Sequence, residues 1–478
     1  FQVAINYRMG AVWEVPLGDC HMKMTDVHDA KNPYDLSFGI IETNSGTSMV
    51  ELAGQESLYD AEACQLILNT YMRLLQTFTK TPTLRVQDCR LNDPSDITSA
   101  LMVGRGPRVK FEWPRTLAQR MQLIFGTYGP DVAVKDQFQS LTYTELEERV
   151  NVIAGRIREV QCRPGSRIAV LCEPSVDFIA AMLAVLHVGA LYVPLDVSLP
   201  FTRHGSMIQS CQPSLLLCHA ATEGLAENLT GDAGYALPSV RIDRIQANQE
   251  LVPCLAEPDS PAILLFTSGS TGMPKGILLS QANFVNHLAL KAQALDLQQE
   301  SVLQQSSMGF DMSLIQTFCA LANGGTLVIA PIEARRDPVE ITQIMLRECI
   351  GLTIATPSEY LMWLRYGTGS LEKHFSWRHA CMGGEPVSDQ LKGEFRRLDL
   401  PSLTLTNCYG PTEITAAATF QRISLRPNET AESPHAVGKA LSNYSVCILD
   451  REGQPLPVGM QGEICIGGAG VSLGYLDL

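Results

Sequence analysis

The stretch FTSGSTGMPKG, Phe266 to Gly276, begins where the apolar run AILLF ends. A core strand that closes in an ordinary turn does not need six consecutive Ser, Thr and Gly residues and then a lysine. A loop with so little side-chain bulk lets backbone N–H groups and small hydroxyls close around an anion, and phosphate is the usual one. It is not the Walker pattern, because Met273 and Pro274 separate Gly272 from Lys275. A bare Gly/Ser cluster could equally be a flexible hairpin.

Around this loop the chain alternates strands and helices. RIAVLC (167–172), SLLLC, AILLF, TLVIA, LTIAT, LTLTN, SVCIL and EICIG read as short buried strands, several separated by helix-length segments. Unbroken apolar strands flanked by helices predict α/β architecture with largely parallel sheets covered on both faces. In SVDFIAAMLAVLHVGA, Ser175 is a plausible N-cap, an apolar stripe runs through Phe178, Ile179, Met182, Leu183 and Leu186, and Gly189 ends the helix. The first 90 residues form a separate unit, with strands at FQVAINYR and DLSFGIIE and a helix over 61–78 stopped by Pro82. Residues 91–115, rich in Pro, Gly and charge without periodicity, read as a linker, and 116–478 as the second domain.

With 478 residues the chain is long enough for several subdomains, and its net charge of −14 excludes a broad nucleic-acid footprint. No apolar run reaches the ~20 residues a membrane span needs. The chain starts without Met or a signal peptide, so a fragment of a longer cytoplasmic protein is expected. Its 14 cysteines include no metal-spaced cluster and are expected to be free thiols, mostly buried. The sequons at Asn228 and Asn428 are then chance.

Taken whole, TSGSTGMPKG resembles the phosphate loop of the adenylate-forming enzymes. LTYTELEERV (141–150), LHVGALYVPLD (186–196), FDMS (310–313), GGEP (383–386), NCYGPTE (407–413) and GEICIGGAGVSLGYL (462–476) resemble that family's further motifs. Leu473 stands where the family usually has Arg. The FDMS and YVPLD forms resemble adenylation domains of nonribosomal peptide synthetases. Residues 1–90 look like the C-terminal part of a condensation domain, and GRGPRVKFEWPRTL like the linker of fungal polyketide synthase–nonribosomal peptide synthetase hybrids.

The resemblance implies that an amino acid and ATP form an aminoacyl-adenylate, which is then loaded on a phosphopantetheine carrier. It implies ATP contacts from Thr267, Ser268, Gly269, Ser270, Thr271, Gly272, Lys275, Gly384, Glu385, Asn407, Tyr409 and Thr412, and Mg²⁺ on Glu413. Asp311 would pair with the substrate's α-ammonium; a helix N-cap is its other ordinary use. By the same register, Met312, Ile315, Ala355, Cys381, Gly383, Cys408, Ala416 and Ala417 would line the side-chain pocket. Mostly small and none charged, they suit a bulky uncharged amino acid, with Trp, Phe, Tyr and Leu inseparable. The family's catalytic Lys and carrier domain are expected beyond residue 478, so no catalytic residue is assigned. Two alternatives stay open: a binding-only or degenerate core, and a free-standing acyl or aryl-acid CoA ligase, against which Asp311 argues.

Overall fold

The computed structural model describes residues 2–11, 14–23, 33–43, 48–89, 91–245, 251–268, 274–425 and 436–476. The chain divides into two compact units, Phe1–Gly104 with Cys447–Cys465, and Arg105–Val446 with Ile466–Leu478.

In the first unit Val3–Ala11 pairs in parallel with Leu36–Thr43, which pairs antiparallel with Ser48–Gly54. The helix Ala61–Lys80 is capped by Asp60, whose side chain accepts from the Ala63 amide. Phe38 and Tyr71 bring their ring centroids to 4.7 Å. None of the helix is fully buried. The stretch expected as a featureless linker contains a helix, Pro94–Val103. Capping makes it, not periodicity: Asp93 accepts from the Ser95 amide and Pro94 stands in the first turn.

The second unit holds two large sheets. One has seven strands in the order Ser239–Arg241, Leu215–Cys218, Arg167–Leu171, Leu191–Pro194, Pro261–Ser268, Pro274–Ser280, Gly474–Tyr475. The first five are parallel and the last two antiparallel. The other has nine strands, with Thr404–Tyr409, His379–Met382, Leu352–Ala355, Ser301–Gln304, Thr326–Ile329 and Val132–Lys135 as its parallel centre. Lys439–Ala440 and Thr419–Ile423 flank it antiparallel on one side and Ser140–Thr142 on the other.

Period-two alternation decides which layer each side chain enters. Ile168, Val170, Ile263, Leu265, Val302 and Ile354 enter one large core shared with the helices Val176–His187, Gln281–Leu295 and Asp311–Leu321. Ala169, Leu171, Leu264 and Phe266 point the other way, under Phe201–Cys211 and Glu223–Gly231. Leu303, Ala355, Ala380 and Met382 pack with Pro338–Arg347, Pro357–Tyr366 and Asp389–Leu398. Five layers result, helix and sheet in turn.

The helix Val176–His187 departs from the one-sided stripe the sequence predicts. Its residues from Val176 to Leu186 are all buried, because the seven-stranded sheet covers one side and the helices Leu117–Tyr128 and Tyr143–Glu159 cover the others. Its one charge there, Asp177, is paired with Arg149 at 2.9 Å. Gly189 follows with φ +71°, and a Cβ there would lie 2.4 Å from the Leu255 carbonyl. All 14 cysteines are free, but fewer are buried than expected: Cys172, Cys211, Cys218, Cys319 and Cys381 are, whereas Cys465 is half-exposed and Cys20 and Cys349 are exposed. No helix among the described residues is long and apolar enough to cross a membrane.

Candidate active site

The motifs FDMS, GGEP and NCYGPTE lie at or just beyond the carboxyl ends of the parallel strands Ser301–Gln304, His379–Met382 and Thr404–Tyr409, where open α/β sheets place their ligands. Thr404–Tyr409 runs through Gly410-Pro411 into a short 3₁₀ turn, Thr412–Ile414. From that turn the Thr412 hydroxyl donates to Asp311 Oδ2 at 2.8 Å. Asp311 is the first residue of the helix Asp311–Leu321; the N-cap is Phe310, so capping is not its use. It is half-buried. Burial pushes its carboxyl above the usual range and Glu413 adds to this, while the Thr412 hydroxyl and the Met312 backbone N–H hold it back. No Lys or Arg pairs with it among the described residues. A partly desolvated carboxylate without a counter-charge is suited to a cationic ligand.

Glu413 stands one residue beyond Thr412. Its Oε1 accepts from the Tyr475 hydroxyl at 2.7 Å, and its backbone carbonyl accepts from the Ser472 amide at 2.8 Å. Its second carboxylate oxygen takes no hydrogen bond among the described residues. One carboxylate oxygen left open fits Mg²⁺, which binds through one or two carboxylates and keeps waters among its other ligands. Among the described residues no cluster of three or more His, Cys, Asp or Glu forms a self-sufficient metal cage.

Lys275 lies on Pro274–Ser280, with its Nζ 5.8 Å from the centroid of the Tyr475 ring. On the opposite strand, Thr267 accepts through its carbonyl from Arg203 at 3.5 Å. Gly269, Ser270, Thr271 and Gly272 lie outside the described residues, as does the side chain of Ser268.

Gly383 and Gly384 follow the strand His379–Met382. A Cβ on Gly383 would sit 2.8 Å from the Cys408 carbonyl, and Gly384 has φ +83°, so both positions demand glycine. The Glu385 carboxylate is engaged by the Ser358 amide at 3.1 Å and hydroxyl at 2.5 Å. Asn407 donates to the Ala436 carbonyl at 3.5 Å, and Tyr409 is half-buried.

Of the expected pocket wall, Met312, Ile315, Cys381, Cys408 and Ala416 gather in the central core. Ala355 does not join them: strand alternation turns it into the core behind the nine-stranded sheet. Ala417 is buried, and Thr415 and Ala416 have φ of +62° and +68°, a left-handed pair that reverses the chain after the 3₁₀ turn.

Sequence reading did not single out Arg203, Tyr475, Lys291 or Asp196. Asp196 is buried after the strand Leu191–Pro194 and accepts from the Ser198 amide and hydroxyl at 2.8 and 2.6 Å and from the Ser307 hydroxyl. Arg335 lies near it and bonds Gln304, Ser306 and Ala330. This network ties the loop before Asp311 to the seven-stranded sheet. The only signal in the sequence was a charge ending an apolar run.

A family model described as AMP-binding enzyme matches residues 125–476. The chain belongs to the AMP-binding enzymes. It is 60% identical over 482 residues to the hybrid PKS-NRPS synthetase iliA of Neonectria sp. (strain DH2), and 56% identical over 484 residues to the hybrid PKS-NRPS synthetase iccA of Talaromyces variabilis. Each match covers 100% of this chain and 12% of the relative, so the chain spans about an eighth of those proteins. The AMPPNP-bound form of the nonribosomal peptide synthetase FmoA3 superposes with a TM-score of 0.83 at 21% identity, covering 100% of this chain and 51% of that one. This AMP-binding chain thus has the adenylate-forming fold. Gly384, Asn407, Tyr409, Thr412 and Glu413 lie inside the matched residues, as do Lys275 and Asp311.

Proposed function

We propose that this chain is the large subdomain of an amino-acid-adenylating module in a hybrid polyketide synthase–nonribosomal peptide synthetase. It would convert an amino acid and ATP into aminoacyl-adenylate and pyrophosphate for transfer to a phosphopantetheine arm on a carrier domain. Residues 1–90 would be the C-terminal part of the preceding condensation domain, 91–115 the connection, 116–478 the adenylation domain, and the protein cytoplasmic. The observation that carries the reading is Asp311: a half-buried carboxylate, held by Thr412 and lacking a cation, beside the carboxylate of Glu413.

In this reading a substrate carboxylate oxygen bonds to the α-phosphorus as the bond from that phosphorus to the bridging oxygen breaks, and pyrophosphate leaves with the electron pair. Positioning and charge neutralisation do most of the work. Asp311 pins the α-ammonium, which aims the carboxylate. Lys275 and Arg203 neutralise the phosphates around the glycine-rich loop. Glu413, oriented by Tyr475, would hold Mg²⁺, whose charge supports the leaving group. The tight turn at Gly383-Gly384, with Asn407 and Tyr409, would receive adenine.

The test is amino-acid-dependent ATP–pyrophosphate exchange by the full-length protein across the twenty standard amino acids. Aromatic or other bulky uncharged side chains should be activated best. Gly, Ala and Ser should be poor, since each methylene left unburied forfeits about 0.8 kcal/mol. Exchange driven by aryl or fatty acids would point to the ligase reading, and ATP binding without exchange to a binding-only core. Lys275→Ala is expected to slow exchange by roughly tenfold or more, the loss of a charge-assisted contact of about 1.5–3 kcal/mol. Unchanged exchange would remove Lys275 from the phosphate site.

A further inference from the structure

The helix Gln281–Leu295 carries one lysine into the central core. Lys291 is 2% exposed, yet among the described residues its ammonium makes no hydrogen bond and meets no carboxylate. Its Nζ lies 5.3 Å from the centroid of the Phe420 ring. Around it stand three thiols, Cys408, Cys381 and Cys319, and one turn earlier His287. Burial works to strip its proton, and the thiols outweigh this and keep it charged. His287 stays neutral, its pKa pushed down to about 3 by burial and by Lys291, so the cluster holds a single cation. A buried ammonium with no acceptor is among the costliest arrangements a core can hold. Cys381 and Cys408 are also two walls of the proposed side-chain pocket, so the ammonium stands behind the pocket rather than in an unrelated part of the core.

We propose that Lys291 is a specificity-determining residue, whose ammonium donates a hydrogen bond to a hydroxyl oxygen at the far end of an aromatic substrate side chain. The substrate class is thereby narrowed to amino acids with a phenol. This rests on the adenylation reading and deepens it. Met312, Ile315, Cys381, Cys408 and Ala416, which gather in this core, suit an aromatic ring, and a phenol oxygen is the acceptor such a ring can carry. An unsubstituted ring would leave the ammonium without an acceptor, and sites built around a buried donor reject such analogues strongly.

Exchange kinetics of the full-length protein decide it. The wild type should prefer tyrosine over phenylalanine by roughly tenfold or more in kcat/KM, and should reject 4-aminophenylalanine and 4-methylphenylalanine, which fill the space without offering a good acceptor. Lys291→Met should lower kcat/KM for tyrosine by roughly ten- to a hundredfold, mainly through KM, while phenylalanine changes less than about threefold. Lys291→Gln, which keeps a donor, should recover part of the tyrosine preference. Equal activation of phenylalanine, leucine or tryptophan by the wild type, or an equal fall for tyrosine and phenylalanine in Lys291→Met, would overturn the assignment and leave adenylation standing. Exchange with no amino acid would overturn both. Should Lys291→Met not fold, the analogue series in the wild type still decides.

Discussion

Asp311→Ala is expected to abolish amino-acid-dependent ATP–pyrophosphate exchange by the full-length protein while leaving it folded. The substrate's α-ammonium would enter a partly buried site without its counter-charge, and removing one partner of such a pair costs about 3–5 kcal/mol, roughly two to four decades in kcat/KM. Des-amino analogues should lose far less, because they bring no ammonium to be stranded. Asp311→Asn separates binding from stability. Burial and Glu413 raise the Asp311 pKa, so the ionised form destabilises the empty protein above the unfolded-state pKa. The asparagine variant should therefore melt no lower than wild type at neutral pH, and somewhat higher, yet fail to activate amino acids. The same shift sets an acid limb. The ammonium needs the ionised carboxylate, which disappears as pH falls through a pKa lying above the ordinary carboxylate value, so kcat/KM should decline at a higher pH than for an unperturbed aspartate. An Asp311→Ala variant with wild-type exchange would show that the ammonium is bound elsewhere.

Asp196→Ala should be strongly destabilising, by about 1–3 kcal/mol, because it removes the acceptor of the Ser198 amide and hydroxyl and of the Ser307 hydroxyl and takes away the carboxylate near Arg335. The pKa of Asp196 points the same way. Burial alone would raise it, but hydrogen bonds from Ser198 and Ser307, with Arg335 nearby, bring it below the ordinary value. A carboxyl whose folded pKa is depressed contributes stability above its unfolded pKa and loses it as pH falls toward the folded one. Wild-type Tm should thus drop on acidification below about pH 4, where the unfolded carboxyl begins to take up protons, and Asp196→Asn should flatten that part of the curve. Activity should suffer as well, since Ser307 belongs to the loop that leads into Asp311. A Tm unchanged in Asp196→Ala would mean that the network does not tie this loop to the seven-stranded sheet.

The sequence by itself determined the strands, the parallel sheets and the chemistry of the loops. Short apolar runs such as AILLF and LTIAT carry their period in neighbouring residues, and the helix cap at Ser175 is set within four residues: its side chain accepts from the Phe178 amide, as the sequence predicts. It likewise marked Asp311, Glu413 and Gly383 through local motifs. It did not mark the helix Pro94–Val103, whose cap outweighs a weak apolar pattern, nor the burial of Val176–Leu186 on all sides, which needs the helices Leu117–Tyr128 and Tyr143–Glu159 packed over it, distant partners that local spacing cannot announce. Only the tertiary structure decided that Ala355 faces away from the other pocket residues, since a one-residue step along a strand exchanges its two faces. Only it brought Tyr475 to Glu413 across 62 positions, and Thr412 to Asp311 across 101. Lys291 shows the reason most plainly. In sequence it is one charge among apolar neighbours, indistinguishable from a solvated one. Its meaning comes from Cys319, Cys381, Cys408 and Phe420, which folding sets around it, and from the missing acceptor, which is a property of the surroundings and not of the residue.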